Sequence, residues 1–153
     1  MSAISIRKAV RDEAEIVVDL VESLLIELGE KLPIAKKSTI SLCKRFFDEG
    51  KYAAFIASDL TGLPIGIITL METTSLYAGG KIGIIQELYI MPEFRSQAVG
   101  LQLLNEAEKY GKENGWARLE VATPNQESSA RTISFYRREG FKGTSLKLKK
   151  KLQ

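Results

Sequence analysis

Three short β-type segments follow one another between residues 51 and 91, and no other feature constrains the fold of this chain so strongly. The segments read YAAFIASD, LPIGIITLMET and KIGIIQELYIM. Asp59-Leu60-Thr61-Gly62 separates the first two, and Tyr77-Ala78-Gly79-Gly80 precedes the third; both tetrapeptides are typical of tight turns. Strands joined by tight turns pair antiparallel, so the sequence predicts a three-stranded antiparallel meander.

Segments with helical periodicity flank this meander on both sides. The predicted helices span about residues 12–29, 38–49, 98–114 and 129–139. The remaining predicted strands lie near residues 4–9, from 116 to 122 and from 141 to 149. We therefore expect a single domain over residues 1–153 of the α/β (α+β) class. Its sheet should be mixed and mostly antiparallel, with six to seven strands, and helices should cover both faces.

Composition fits one globular domain and excludes several kinds of catalytic site. The 153 residues are 44% hydrophobic and 27% charged, which is enough to bury a core. Because histidine is absent, His-based triads and His metal sites are excluded, and the single Cys43 cannot form an internal disulfide or a Cys-rich zinc site. Cys43 lies in an apolar helical pattern and is expected in the core. Acid–base chemistry must therefore use Glu, Asp, Tyr or Lys, and no metal site is predicted.

The charge distribution gives little support for a polyanionic partner or a membrane. The net charge is +3, and the dense basic run from Lys147 to Lys151 closes the chain. We expect no nucleic-acid binding, and a basic interaction module using the LKLKKKL tail is the less favoured alternative. No charged segment followed by an apolar one begins the chain, and no apolar run approaches about 20 residues. A cytoplasmic location without membrane association is therefore the default expectation.

The segment IIQELYIMPEFRSQAVGLQLL, residues 84–104, reads as a buried strand, a loop broken by proline and the start of a helix. Small residues at Ser96, Ala98 and Gly100 leave the backbone N–H groups of the new helix accessible to an anion, and Arg95 adds positive charge. The pattern predicts a phosphate site. The alternative is a tight connection between strand and helix that binds nothing.

The loop RSQAVG lacks the glycines and lysine of a P-loop and the glycines of a dinucleotide-binding turn. It resembles instead the R-x-x-[GA]-x-G pyrophosphate-binding motif of the GNAT superfamily of acyl-CoA N-acyltransferases. The segments LYIMP, LQLLNEAEKYGKENG and WARLEVA follow in that family's order, and SSARTISFYRREGFK is close to its A-x-x-x-Y-x-x-x-G-F signature. The resemblance is specific over residues 84–142.

This resemblance implies acetyl-CoA as co-substrate, bound in an opening where the strand ending at Met91 and the strand from Trp116 splay apart. The backbone from Leu88 to Ile90 would pair with the pantetheine arm, and the loop would hold the pyrophosphate. The cofactor-binding residues implied in this way are Leu88, Tyr89, Ile90, Arg95, Ser96, Gln97, Ala98, Val99, Gly100, Leu101, Ser129 and Tyr136. Ala98 stands where the family has a glycine, and Ser129 stands where an asparagine is commoner.

Glu87 interrupts an otherwise apolar strand, and an unpartnered carboxylate would be costly to bury there. It is a candidate general base, because an amine with a pKa near 10.4 must lose a proton before it attacks a thioester. Family members frequently carry an acid at this position. The alternative is structural: residues 85, 87 and 89 would share one face of the strand, and Glu87 would meet solvent or a basic neighbour. Glu72 and Glu120 are rival bases on neighbouring strands.

The resemblance assigns Tyr136 as the group that protonates, or donates a hydrogen bond to, the departing CoA thiolate. Helical spacing places Tyr136 on the same side as Ser129 and Ile133, facing the sheet. The alternative is a tyrosine that only packs its ring beside Phe135 and Phe141.

The resemblance implies an acetyl-CoA-dependent N-acetyltransferase in which a primary amine, from a small molecule, peptide or protein, attacks the thioester directly. A non-catalytic acyl-CoA sensor on the same fold is the alternative function, and a homodimer is possible because such dimers are common in the family. Candidates for contact with the acceptor are Ser23, Glu27, Glu30, Thr73, Tyr77, Tyr89 and Glu127.

Overall fold

The predicted meander lies at the centre of a five-stranded sheet in a computed structural model, which describes residues 4–122, 130–143 and 147–153. The strands are β1 (Ser5–Lys8), β2 (Tyr52–Ser58), β3 (Pro64–Ser75), β4 (Gly80–Ile90) and β5 (Leu119–Val121). The helices are α1 (Ala14–Glu27), α2 (Lys36–Glu49), α3 (Val99–Glu113) and α4 (Ala130–Arg138). A single 3-10 turn precedes α1, and another follows β4.

The strands lie in the order β1-β2-β3-β4-β5. The first four pair antiparallel, and β5 pairs parallel with β4. The expectation of a mixed, mostly antiparallel sheet is therefore confirmed. Turn chemistry explains the β2–β3 hairpin, since the Asp59 carboxylate accepts hydrogen bonds from the backbone N–H groups of Thr61 and Leu63.

The prediction of six to seven strands is wrong for the part of the chain that the structure describes, which contains five. The last predicted strand spanned residues 141–149, but residues 141–143 and 147–149 are not in a strand, and residues 144–146 lie outside the described ranges. The side chain of Leu148 is 89% exposed. Alternation of leucine and lysine suggested a strand with one buried face, but a strand needs a surface against which that face can pack.

Helices cover both faces of the sheet, because the apolar side chains of β2 and β3 alternate between its two faces and both faces must be buried. Ile56 and Ile67 belong to a buried cluster with residues of α1 and α2. Phe55 and Ile68, their neighbours in sequence, belong to a second cluster with residues of α3 and α4. All seven residues of β2 are buried, because each face of the sheet meets a helical layer.

A β-bulge interrupts the pairing of β3 with β4. Thr69 lies opposite Glu87, whereas the next residue of β3, Leu70, lies opposite Ile85, so Gln86 is the extra residue. A bulge reverses the alternation of side chains beyond it. Ile85 accordingly packs in the cluster with α3, and Tyr89 packs in the cluster with α1 and α2. The alternative interpretation of Glu87, in which residues 85, 87 and 89 share one face, is therefore wrong about that face.

β5 is shorter than the predicted strand from 116 to 122, because Trp116 does not extend the strand. It packs against the face of the sheet that α3 covers. The indole lies over two glycines: a Cβ added at Gly83 would come within 2.0 Å of the ring, and one at Gly111 within 2.8 Å. Its Nε1 donates a hydrogen bond to the Glu72 carboxylate at 2.7 Å. None of the helices in the described ranges is long and apolar enough to cross a membrane.

Candidate active site

The outer edge of β4 loses its neighbouring strand partway along its length. β5 pairs with β4 only at Gly83, Ile84 and Ile85, whereas β3 pairs with β4 as far as Ile90. Within the described residues, no strand pairs with the outer edge of β4 from Glu87 onward. An unpaired strand edge offers backbone N–H and C=O groups to an extended ligand. An extended pantetheine arm requires an edge of this kind.

The loop from β4 to α3 leaves the start of α3 without a side-chain cap. Ala98 precedes the helix, and its side chain makes no capping hydrogen bond. The φ angles of Ser96 (64°) and Ala98 (62°) are left-handed, a conformation that costs a residue other than glycine about 1 kcal/mol. Both residues are exposed. An uncapped helix N-terminus attracts anions, and the left-handed φ explains why the motif usually has glycine in place of Ala98.

Arg95, which was predicted to reach the phosphate, makes its contacts within the protein. Its Nε donates to the carbonyl oxygen of Ile90 at 2.9 Å, and its Nη2 donates to the Glu27 carboxylate at 2.6 Å. The guanidinium also lies 5.8 Å from the ring centroid of Tyr89. Arg95 therefore connects the end of β4 with the end of α1. Its contact with a phosphate stays a prediction that would require the side chain to share or leave these partners.

Arg131 of α4 lies beside the same loop and was missed by the sequence analysis. Its Nη2 donates to the Ser96 hydroxyl at 3.4 Å, and its side chain is exposed. A cation in the first turn of a helix opposes the helix dipole, so Arg131 occupies an unfavourable position unless an anion lies nearby. That signal was present in the sequence. Ser129, the predicted cofactor contact at the head of this helix, lies outside the described residues, as does Glu127.

The bulge turns Glu87 toward α1 and α2, where Thr69 is its hydrogen-bond partner. The Thr69 hydroxyl donates to Glu87 Oε1, and the Glu87 backbone N–H donates to Thr69 Oγ1 at 3.0 Å. Burial raises the pKa of the Glu87 carboxyl, and the hydrogen bond from Thr69 opposes that change. A raised pKa makes the ionised carboxylate a stronger base than a fully solvated one, and the Glu87 side chain is partly exposed.

Aromatic and apolar groups surround Glu87 on that face. The Tyr52 ring packs against Phe46 and Phe47, with centroid separations of 5.4 and 5.3 Å. Burial, followed by the charge of Glu87, raises the pKa of the Tyr52 phenol well above its usual range. The same two causes raise the pKa of Cys43 to about 11. Cys43 is buried and free, so its expected place in the core is confirmed.

The two rival bases both have partners elsewhere. Glu72 accepts the hydrogen bond from the Trp116 indole, and it pairs in register with Gly83, several residues from Glu87 along the sheet. Glu120 forms an ion pair with Arg118 at 2.7 Å. Of the three carboxylates, Glu87 is the one that lies at the start of the unpaired edge of β4.

Tyr136 belongs to the buried cluster on the α3 face of the sheet and is 4% exposed. Its ring packs edge-on between Phe135 and Phe141, with centroid separations of 5.3 and 5.2 Å. Burial raises the pKa of the phenol well above its usual range, so the hydroxyl stays protonated at neutral pH. It can therefore donate a hydrogen bond. Tyr136 and Glu87 belong to opposite faces of the sheet.

Comparison with known proteins gives the family. The model of the acetyltransferase (GNAT) family matches residues 18–141. The aminoalkylphosphonate N-acetyltransferase of Salmonella typhimurium is 35% identical over 91 residues, which cover 60% of this chain and 58% of that protein. The chain spans less than two thirds of the length of the curated relatives that it matches.

Solved structures show the same fold. An aminoglycoside acetyltransferase from an uncultured soil metagenomic sample superposes with a TM-score of 0.83 at 13% identity over the whole of both chains. A predicted acetyltransferase from Clostridium acetobutylicum, solved with acetyl-CoA, has a TM-score of 0.81 at 18% identity and covers 97% of this chain and 96% of that one. With four helices flanking its mostly antiparallel sheet, and with most of its length matched by the family model, this chain belongs to the acetyltransferase (GNAT) family.

Proposed function

We propose that this protein is an N-acetyltransferase that transfers the acetyl group of acetyl-CoA to the primary amine of a small molecule. The observation that carries the proposal is the position of Glu87, a partly buried carboxylate at the start of the unpaired edge of β4. A base at this place lies beside the backbone groups that would hold the thioester arm.

The residues at the predicted acetyl-CoA site fit that molecule. The edge of β4 from Leu88 to Ile90 would pair with the pantetheine arm, and the uncapped start of α3 would hold the pyrophosphate. Arg131, beside Ser96, would supply the positive charge, since Arg95 is engaged by Glu27 and Ile90. No residue of this set requires a metal.

The proposed reaction begins with removal of a proton from the amine. An amine with a pKa near 10.4 is almost wholly protonated at pH 7, which lies about 3.4 units below that pKa. Removing its proton therefore costs about 4.6 kcal/mol. Glu87 would accept this proton directly or through a water molecule. The neutral nitrogen then attacks the thioester carbon, and a backbone N–H near Leu88 would stabilise the oxyanion. Tyr136 would donate a hydrogen bond to the CoA thiolate as it leaves.

The names of the relatives support a small-molecule acceptor. One relative is named as an acetyltransferase of aminoalkylphosphonates, and a protein of the same fold is named as an aminoglycoside acetyltransferase. Both acceptor classes are small molecules with primary amines, and we propose an acceptor of this kind.

The test combines binding with turnover. Acetyl-CoA should raise the melting temperature by mass action, by several degrees at about 100 times its dissociation constant, whereas inorganic phosphate should not. Release of free thiol is then followed with a panel of primary amines that includes aminoalkylphosphonates and aminoglycosides. A shift in melting temperature without thiol release from any amine would contradict the proposal and support an acyl-CoA sensor.

A further inference from the structure

Thr69 is a polar residue in a part of β3 that is otherwise aliphatic. Its neighbours Ile67, Ile68 and Leu70 are fully buried, and Thr69 itself is 0% exposed. Burying a hydroxyl among aliphatic side chains is unfavourable unless a hydrogen bond compensates for it. A valine would fill nearly the same volume without that penalty, so the hydroxyl requires an explanation.

The hydroxyl makes two hydrogen bonds to Glu87, and it also lies against the Tyr52 phenol. Thr69 Oγ1 donates its proton to Glu87 Oε1 and accepts the Glu87 backbone N–H at 3.0 Å. The pair lies next to the place where the register of β3 and β4 shifts. One side chain thus fixes both the backbone and the carboxylate of Glu87 at the bulge that turns it toward α1 and α2.

We propose that Thr69 is a positioning residue, which orients the Glu87 carboxylate toward α1 and α2 and stabilises its charged form by a hydrogen bond. The inference rests on the proposed function, because it assigns Glu87 as the base. A base must be ionised before it can accept a proton, and burial favours the protonated form. A hydroxyl that donates to the charged form counteracts burial. The hydrogen bond from Thr69 also occupies one oxygen of the Glu87 carboxylate, so the other oxygen is left to accept the proton of the amine.

The titratable groups that face Glu87 do not interfere with this function. Cys43 comes from α2 and Tyr52 from β2, and the pKa of each is raised above its usual value. Both therefore stay neutral while Glu87 titrates. Tyr89 lies two residues further along β4, and the guanidinium of Arg95 over its ring is paired with Glu27 of α1.

The experiment compares Thr69→Val with Thr69→Ser in the full chain, using the pH dependence of kcat/KM with the best amine of the panel. Valine removes the hydroxyl at nearly constant volume. The acid limb of the pH profile of kcat/KM should therefore move to higher pH, by about one unit or more. Serine keeps the hydroxyl and should restore the wild-type limb. Thr74→Val makes the same substitution at an exposed position of β3 and should leave the profile unchanged.

An acid limb that stays in place in Thr69→Val would overturn the inference while leaving the proposed function intact. If wild-type protein acetylates no amine, the proposed function fails, and a carboxyl carbon NMR titration of Glu87 decides the inference separately. A higher Glu87 pKa in Thr69→Val than in wild type and Thr69→Ser would support it. An equal pKa in all three proteins would overturn it. The thermal shift with acetyl-CoA checks that each variant is folded.

Discussion

The pKa of the Glu87 carboxyl is higher in the folded protein than in the unfolded chain, because burial disfavours its charged form. The folded state therefore binds this proton more tightly. The stability that the group contributes is fully present below its ordinary pKa of about 4.5 and is lost as the pH rises through the raised value. Above the raised pKa, the charge that the proposed base requires would therefore lower the free energy of unfolding.

Glu87→Gln should consequently make the protein more stable and less active. Glutamine keeps the volume and can still accept a hydrogen bond from Thr69, but it carries no charge to bury. We expect the variant to unfold at higher urea concentration than wild type at pH 7.5, with the difference vanishing near pH 4. The value of kcat/KM should fall by about 100-fold or more, since a general base contributes that much. A variant that is less stable than wild type at pH 7.5 would contradict this account.

Substitutions at Tyr136 can separate packing from chemistry, because the ring packs in the core while the hydroxyl is the proposed hydrogen-bond donor. Tyr136→Phe keeps the ring between Phe135 and Phe141. We expect an almost unchanged melting temperature and a fall in kcat of about tenfold, the value of one hydrogen bond to the thiolate. Tyr136→Ala should instead lose about 3 to 5 kcal/mol of unfolding free energy, measured by urea denaturation. Full activity in Tyr136→Phe would remove the residue from the mechanism.

The sequence indicated which residues are chemically unusual but not how they are held. A carboxylate in an apolar strand identified Glu87 from the sequence alone. The face on which it lies depends on one extra residue, Gln86, and period-two alternation contains no sign of such an insertion. Thr69 was overlooked because threonine is common in strands, and its significance emerges only from its position opposite Glu87.

Among the elements, the loop between β4 and α3 differs most from its prediction. Its motif predicted an anion site with Arg95 beside it, but Arg95 contacts Ile90 and Glu27, and the arginine that reaches Ser96 is Arg131 from α4. Contacts between elements that are distant in sequence depend on how helices are placed on the sheet. For the same reason Trp116, predicted as part of a strand, packs against Gly83 and Gly111 instead.

The two arginines should respond differently to the same substitution. Arg131→Gln should raise the KM for acetyl-CoA about five- to tenfold with little change in melting temperature, because its side chain is exposed. Arg95→Gln should lower the free energy of unfolding by about 1 kcal/mol, because it loses contacts with Glu27 and Ile90. Arg137→Gln, at the other end of α4, serves as the control. Steady-state kinetics with varied acetyl-CoA measure the effect on KM, and thermal melts measure the effect on stability. Equal KM values for Arg131→Gln and wild type would exclude a contact between Arg131 and the phosphate groups of acetyl-CoA.

At the scale of the whole molecule, a single sheet supplies side chains to two separate cores. Ile67 and Ile68 are consecutive and both 0% exposed, yet Ile67 packs with α1 and α2 and Ile68 packs with α3. Neither helical layer can lose its contacts without exposing one face of β2, β3 and β4. We therefore propose that residues 1–153 unfold as one domain, as the sequence predicts.

Ile67→Ala and Ile68→Ala test this coupling with probes on different faces. Each substitution should lower the free energy of unfolding by about 2 to 5 kcal/mol, the usual cost of truncating a buried isoleucine. Trp116, the only tryptophan in the chain, contacts Gly111 of α3 and so reports from the α3 side. Ile67 lies on the opposite face of the sheet. If the domain is cooperative, Ile67→Ala must still lower the urea midpoint measured by Trp116 fluorescence, and by as much as it lowers the midpoint measured by far-ultraviolet circular dichroism. A variant whose circular dichroism midpoint falls while its fluorescence midpoint stays would show that the two layers unfold separately.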